Sequence, residues 1–172
     1  MCVFRGLPSP SPLMRSQIQT FSLSTLESGI LDSSCEHIHE ASPRGRRTRI
    51  NPGEDAAVQR SLMRENESAD VLAHAGYDVE QNPGIVNGRR PDYRIEGRIF
   101  DNYAPSTSNP RNIWSEIQNA KVNSGQADRI VLNLEDSSVS IDALRRQFHD
   151  WPMPGLREVI VIRDGSVSHL WP

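Results

Sequence analysis

Asp92-Tyr93-Arg94-Ile95-Glu96-Gly97-Arg98-Ile99-Phe100-Asp101-Asn102-Tyr103 reads as two short strands, Asp92 to Ile95 and Arg98 to Tyr103, joined at a Glu-Gly corner. The runs are rich in β-branched and aromatic residues, and the glycine permits a tight turn, so a hairpin is expected. A hairpin can bring Asp92 and Asp101 near each other although they are nine residues apart. Two carboxylates on otherwise apolar strands are either a site or turn acids neutralised by Arg90, Arg94 and Arg98, and the spacing alone leaves both open.

Working outward, Asn112 to Val122 carries Ile113, Trp114, Ile117, Ala120 and Val122 mostly three or four apart, as in a helix. Asn109 or Asn112 would cap it, Pro110 sits near its start, and Gly125 ends it. Arg129 to Leu134 is a nearly continuous apolar run, as in a strand covered on both faces. Ser140 to His149 reads as a helix with Ile141, Leu144 and Phe148 on one side. Glu158 to Ile162 and Ser166 to Leu170 are strands hinged by Arg163-Asp164-Gly165, a strong hairpin signal. On the N-terminal side, Asp55 to Ala75 is helix-compatible and stopped by Gly76. Tyr77 to Gln81 alternates like a strand before the Asn82-Pro83-Gly84 turn. The order α-β-ββ-α-β-α-ββ predicts an α/β (α+β) fold, a mixed sheet with helices packed on it.

The 172 residues fit one domain with room for a core. Met1 to Pro52 is Ser-, Pro- and Arg-rich with few periodic apolar residues. Residues 1–52 are therefore expected to be disordered or linker, and residues 53–172 to form the domain. The charge run Arg44 to Arg49 could help hold RNA, but reads first as a solvated linker run. Cys2 and Cys35 make neither a disulfide framework nor a metal knuckle. A formal charge of −3 argues against a passive duplex-DNA binder but not against a nuclease that confines positive charge to one cleft. No apolar run is long enough to span a bilayer, and the N-terminus shows no secretory signal.

Lys121 is the only lysine beside eighteen arginines. The two residues differ most where a compact ammonium must approach a reacting phosphate, so Lys121 is a candidate for such a place. Equally, a cation in the last turn of a helix is favoured by the backbone dipole. Glu65 and Glu67, on the first helix, could approach the aspartates from the side. Carboxylates so gathered bind a divalent cation or supply a general base, and a lysine stabilises charge on a phosphoryl oxygen. Gln126, past Gly125, can donate to phosphate or a base edge. Tyr103 and Trp114 could stack on bases, with Trp114 better placed for the core. Of His37, His39, His74, His149 and His169, none shows metal-ligand spacing; His169 could act as an acid or base.

The string ENESADVLAHAGYDVEQNP from Glu65, then RPDYRIEGRIFDNYAP, IWSEIQNAKVNSGQ, RIVLNL and WPMPGLREVIVI, resembles the C-terminal toxin domain of CdiA-type contact-dependent inhibition proteins, and most the branch of tRNA nucleases. The resemblance runs from Glu65 to Pro172. It maps Asp92 onto the family's Pro-Asp-Tyr, Asp101 and Tyr103 onto Phe-Asp-x-Tyr, Lys121 onto a helix-end lysine and Gln126 onto Gly-Gln. The family often has lysine where Arg98 stands; arginine keeps the charge for a phosphate contact.

The resemblance implies a tRNA-cleaving toxin. Asp101 or Asp92 would polarise the attacking hydroxyl and Lys121 would stabilise the phosphorane, with Glu65 as a further catalytic candidate. Arg90, Arg98 and Gln126 would hold the RNA backbone, with Tyr103 on the substrate side. Glu65, Asp92, Glu96 and Arg98 invite comparison with metal-dependent PD-(D/E)XK nucleases, but Glu96-Gly97-Arg98 lies closer to Asp92 than that pattern has it. The order of elements from Arg98 on looks instead like the C-terminal domain of translation initiation factor three and the barnase-like ribonucleases, which is the expectation here. No metal or cofactor is then expected; a divalent cation would be needed only in the PD-(D/E)XK case. Implied partners are tRNA, a cognate immunity protein and elongation factor Tu. The expected place of action is the cytoplasm of a target bacterium after delivery. Rival readings are an inactive RNA- or protein-binding remnant and a DNA-directed nuclease.

Overall fold

The chain is described by a computed structural model over residues 41–86 and 88–172. Its first strand is β1 (Arg44–Gly45), followed by helix α1 (Ala56–His74) and strands β2 (Val79–Gln81), β3 (Tyr93–Ile95) and β4 (Arg98–Tyr103). Helix α2 (Pro110–Glu116) runs straight into a π-helical segment, Ile117–Asn123. Then come β5 (Arg129–Asn133), α3 (Ile141–Asp150), β6 (Glu158–Arg163) and β7 (Ser166–Trp171). The expected order of helices and strands stands, with β1 added and one helix rewound.

The seven strands form one mixed sheet in sequential order. Pairs β1–β2, β4–β5 and β5–β6 are parallel; β2–β3, β3–β4 and β6–β7 are antiparallel. Parallel neighbours need crossovers, and α1, α2 with its π extension, and α3 supply them. Alternation along the central strands sorts the core into two layers. Ile130, Leu132, Val159 and Val161 pack with Ile113, Trp114, Ile117, Leu144 and Phe148 of α2, the π segment and α3. Val131, Ile160 and Ile162 turn to the other side and pack with Ala69 and Leu72 of α1. The sheet is thus sandwiched between α1 and the α2–α3 pair.

Local signals fix the ends. The Asp55 carboxylate accepts from Ala57 N–H at 2.8 Å at the start of α1, and Asn109 and Ser140 do the same work for α2 and α3. The azimuth of α1 is fixed by Asp136, which accepts from Arg60 at 2.7 Å and Arg64 at 3.0 Å. Those guanidiniums hold the Asp136 carboxyl down at about 2. No helix of the described residues is long and apolar enough to cross a membrane.

The stretch expected to be linker up to residue 52 is joined to the fold in its last part. Gly45 lies so close to β2 that a Cβ there would sit 2.1 Å from the Gln81 carbonyl oxygen, at φ +86°, so only glycine fits. Arg46 N–H then donates to the same carbonyl at 3.0 Å, and the Arg44 guanidinium grips Asp78 at 2.8 Å. Backbone pairing and one glycine hold this segment, not the apolar burial whose scarcity suggested a linker. The remainder of that expectation, for residues 1–40 with Cys2, Cys35, His37 and His39, lies outside the described residues.

Candidate active site

The β3–β4 register pairs Tyr93 with Phe100, and one further step sets Asp92 opposite Asp101. The Asn102 backbone N–H donates to Asp92 Oδ2 at 2.7 Å, which ties the first carboxylate to the second strand. Asp101 is 1% exposed, in the middle of the sheet. Lys121 reaches it from the π segment: Nζ donates to Asp101 Oδ2 at 3.2 Å. The other oxygen, Oδ1, is buried and has no hydrogen-bond partner among the described residues.

Helical periodicity predicts an ordinary α-helix through Val122. The wider winding of Ile117–Asn123 instead resets the azimuth of Lys121 relative to α2, a change often found where a side chain must be aimed. Nothing in the residue types signals it.

Glu65 arrives from α1 and is buried. Its Oε1 accepts from the Thr48 hydroxyl in a very short contact and from Gln81 Nε2 at 3.3 Å. Asn66, the next residue on α1, clamps Thr48 through both of its backbone groups, at 2.9 Å each. The segment after β1 is therefore a strap that orients Glu65. Thr48, Asn66 and Gln81 escaped the sequence reading because nothing distinguishes them from ordinary polar residues until the register of β1 is known.

Electrostatics confirm that the three acids share one field. Burial pushes the Asp92 carboxyl up to about 7, with Glu65 and Asp101 adding to the rise, against the pull of the Asn102 N–H and of Lys121. Burial likewise raises Glu65, offset by the hydrogen bonds from Thr48 and Gln81, while Asp101 raises it and Lys121 lowers it. Three carboxyls thus lie within electrostatic reach of one ammonium, which contacts Asp101. A poised base, an acid and a cation at one place are what phosphoryl chemistry uses.

The other expected residues fall into two groups. Gln126 lines a groove with Arg89 and Ile99, and with Pro91 and Val122, the chain neighbours of Asp92 and Lys121; Arg90 lines an adjoining one with Pro91. Arg89 was missed for want of any signal separating it from its neighbour. Arg98, by contrast, sits at the corner end of the hairpin, exposed, facing Glu158 at 3.5 Å, with Arg129 and His169 nearby. Glu96 accepts the Asp78 N–H at 2.8 Å, and Glu67 pairs with Arg64, so neither joins the cluster. Tyr103 packs against the α2–α3 core, where burial pushes its phenol up to about 12. Trp114 is core, with its indole N–H donating to the Trp151 carbonyl at 2.9 Å. His169 meets the Tyr77 hydroxyl at 3.2 Å, at the Arg98 side.

Comparison with known proteins gives concordant results. The family model for the contact-dependent growth inhibition CdiA C-terminal domain matches residues 89–167. The chain is 46% identical over 169 residues to the tRNA nuclease CdiA-2 of Burkholderia pseudomallei (strain 1026b). That match covers 98% of this chain and 5% of the relative, so the chain spans about one twentieth of that protein's length. It is also similar to a chain of the CdiA-CT/CdiI toxin and immunity complex from Burkholderia pseudomallei, with a TM-score of 0.72 and 51% identity. The likeness covers 76% of this chain and 99% of the other.

Proposed function

The chain belongs to the contact-dependent growth inhibition CdiA C-terminal domain family, and on that footing we propose that it is a toxin domain that cleaves tRNA. The observation that carries the reading is the 3.2 Å contact between the single lysine and the buried Asp101, in a corner shared with Asp92 and Glu65. Asp101 holds Lys121, whose ammonium stabilises the negative charge that grows on a phosphoryl oxygen. Asp92, with a carboxyl near 7, takes the proton of the attacking hydroxyl. Glu65, raised by burial, is the group placed to return a proton to the leaving oxygen. By the same likeness, a cognate immunity protein is the natural inhibitor.

A second reading, with a divalent cation, is favoured by two observations. Three carboxyls against one ammonium would repel a phosphodiester, and Asp101 Oδ1 is buried with no partner. Among the described residues no group of three or more His, Cys, Asp or Glu side chains could hold a metal ion. A hard cation such as Mg²⁺ needs only one or two carboxylates, completed by water and substrate phosphate. Asp92 and Asp101 would hold it, and it would supply Lewis-acid polarisation of the phosphate.

The test is cleavage of purified tRNA, with mapping of the new ends and a parallel reaction in excess chelator. RNA left intact by the folded protein, with and without Mg²⁺, would refute the proposal. Attack by the 2′-hydroxyl leaves a 2′,3′-cyclic phosphate and survives chelation. Attack by a metal-activated water leaves a 5′-phosphate and stops. Thr48→Val, which removes the hydroxyl that orients Glu65, should slow cleavage by up to about tenfold, as expected for one lost orienting hydrogen bond. The same single-turnover assay reads it, and an unchanged rate would detach the strap from the chemistry.

A further inference from the structure

We propose that the strap after β1 and the loop before β3 together form a track for the phosphodiester backbone of RNA, read by Arg49, Arg46, Arg90 and Arg89. The inference rests on the RNA substrate proposed above and goes on to where its backbone lies. Three grooves adjoin. The first holds Arg46, Arg47, Thr48 and Arg49; it shares Arg46 and Asn82 with the second, which adds Arg90 and Pro91. The second shares Pro91 with the third, where Arg89 and Gln126 stand. Pro91 precedes Asp92, Thr48 holds Glu65, and Val122 of the third groove follows Lys121. The segments that line the track are thus the chain neighbours of the acid cluster.

Most guanidiniums elsewhere are neutralised: Arg44 by Asp78, Arg60 and Arg64 by Asp136, Arg94 by Glu80, Arg157 by Asp128 and Arg145 by Asp142. Arg111, stacked on Trp114 and Trp151, Arg163, donating to the Val139 and Ser137 carbonyls, and Arg146 have no carboxylate partner either, but none of them lines these three grooves. Among the described residues Arg46, Arg49, Arg89 and Arg90 have no carboxylate partner and are exposed, whereas Arg47 in the same run pairs with Asp70 at 2.9 Å. A chain of formal charge −3 thus keeps unneutralised positive charge beside three acids. Such charge suits a polyanion and would otherwise be wasted on solvent. Gly125 (φ +71°) fits the same picture, since a Cβ there would lie 2.8 Å from the Arg89 guanidinium and push it from the groove. The charge run in the N-terminal third, set aside in the sequence as solvated linker, is where the track begins.

The experiment measures tRNA binding by Asp92→Asn, chosen to hold substrate without turning it over, across a series of salt concentrations. Adding Arg46→Ala and Arg90→Ala should weaken binding at least tenfold near 0.1 M salt. The slope of log affinity on log salt should fall by about 1.4–1.8, the share of two phosphate contacts. Arg145→Ala with Arg146→Ala on α3, an equal loss of charge, should change affinity less than about twofold. Equal losses in both pairs, or an unchanged slope for Arg46 and Arg90, would overturn the track while leaving the RNA substrate standing. Failure of folded Asp92→Asn to bind tRNA even at low salt would remove the substrate reading and the track with it. Arg46, Arg90 and Arg146 hold no carboxylate partner, Arg145 only the exposed pair with Asp142, and matching thermal melts confirm that the folds compare.

Discussion

Asp92→Asn is expected to melt at a higher temperature than the wild type at pH 8 and to have lost cleavage by a factor of about 100 or more. The Asp92 carboxyl is raised from 3.8 to about 7, chiefly by burial and then by the charges of Glu65 and Asp101. Its neutral form is therefore the one the folded state favours. Below the unfolded value both states hold the proton and nothing is lost. As pH rises toward and through about 7, the unfolded chain has already released the proton that the folded chain keeps, so stability falls. The full penalty, present above about 7, is at most about 4 kcal/mol by linkage. Asparagine keeps an oxygen for the Asn102 N–H and carries no charge. A gain of about 5 °C or more at pH 8, vanishing near pH 4, should appear in thermal scans. A loss of stability at pH 8 would mean that Asp92 is held by a compensating cation or does not lie in this field.

Removing the lysine should show the converse pattern. Lys121→Ala deprives the buried Asp101 of its partner, so stability should drop by about 3 kcal/mol, the low end of the range for a buried pair because Lys121 keeps some exposure. Cleavage should fall by about 10²–10³. Pairing it with Asp101→Asn removes the orphaned charge, so stability should return while cleavage does not. Lys121→Arg should restore little, because a longer planar fork cannot occupy the 3.2 Å contact in the ammonium's geometry. Recovery of cleavage in step with stability in the double variant would make Lys121 a structural residue only.

The hairpin was readable because its alternation and Glu-Gly corner specify register, and register is what sets Asp92 against Asp101. Asn109, Ser140 and Gly76 mark helix ends by local chemistry that sequence displays directly. Lys121 stood out by composition, yet its aim depends on a π winding that no residue type announces. Thr48 and Gln81 were invisible because their role comes from β1, a strand of two residues made by a glycine's close approach to β2. Arg98 stands apart from the aspartates: it belongs to the same hairpin but at the corner end, three residues along the strand from Asp101 and about 10 Å away at normal rise. Sequence proximity to a site residue carries no information about which end of an element the chemistry uses.

The account stands on the corner where Lys121 meets Asp101, and single-turnover cleavage of purified tRNA by Asp101→Asn beside Arg145→Ala tests it most directly. The prediction is a rate at least about 100-fold below wild type for Asp101→Asn, with tRNA still bound, and a wild-type rate for Arg145→Ala. An Asp101→Asn protein that cleaves within about threefold of wild type would place the chemistry somewhere else.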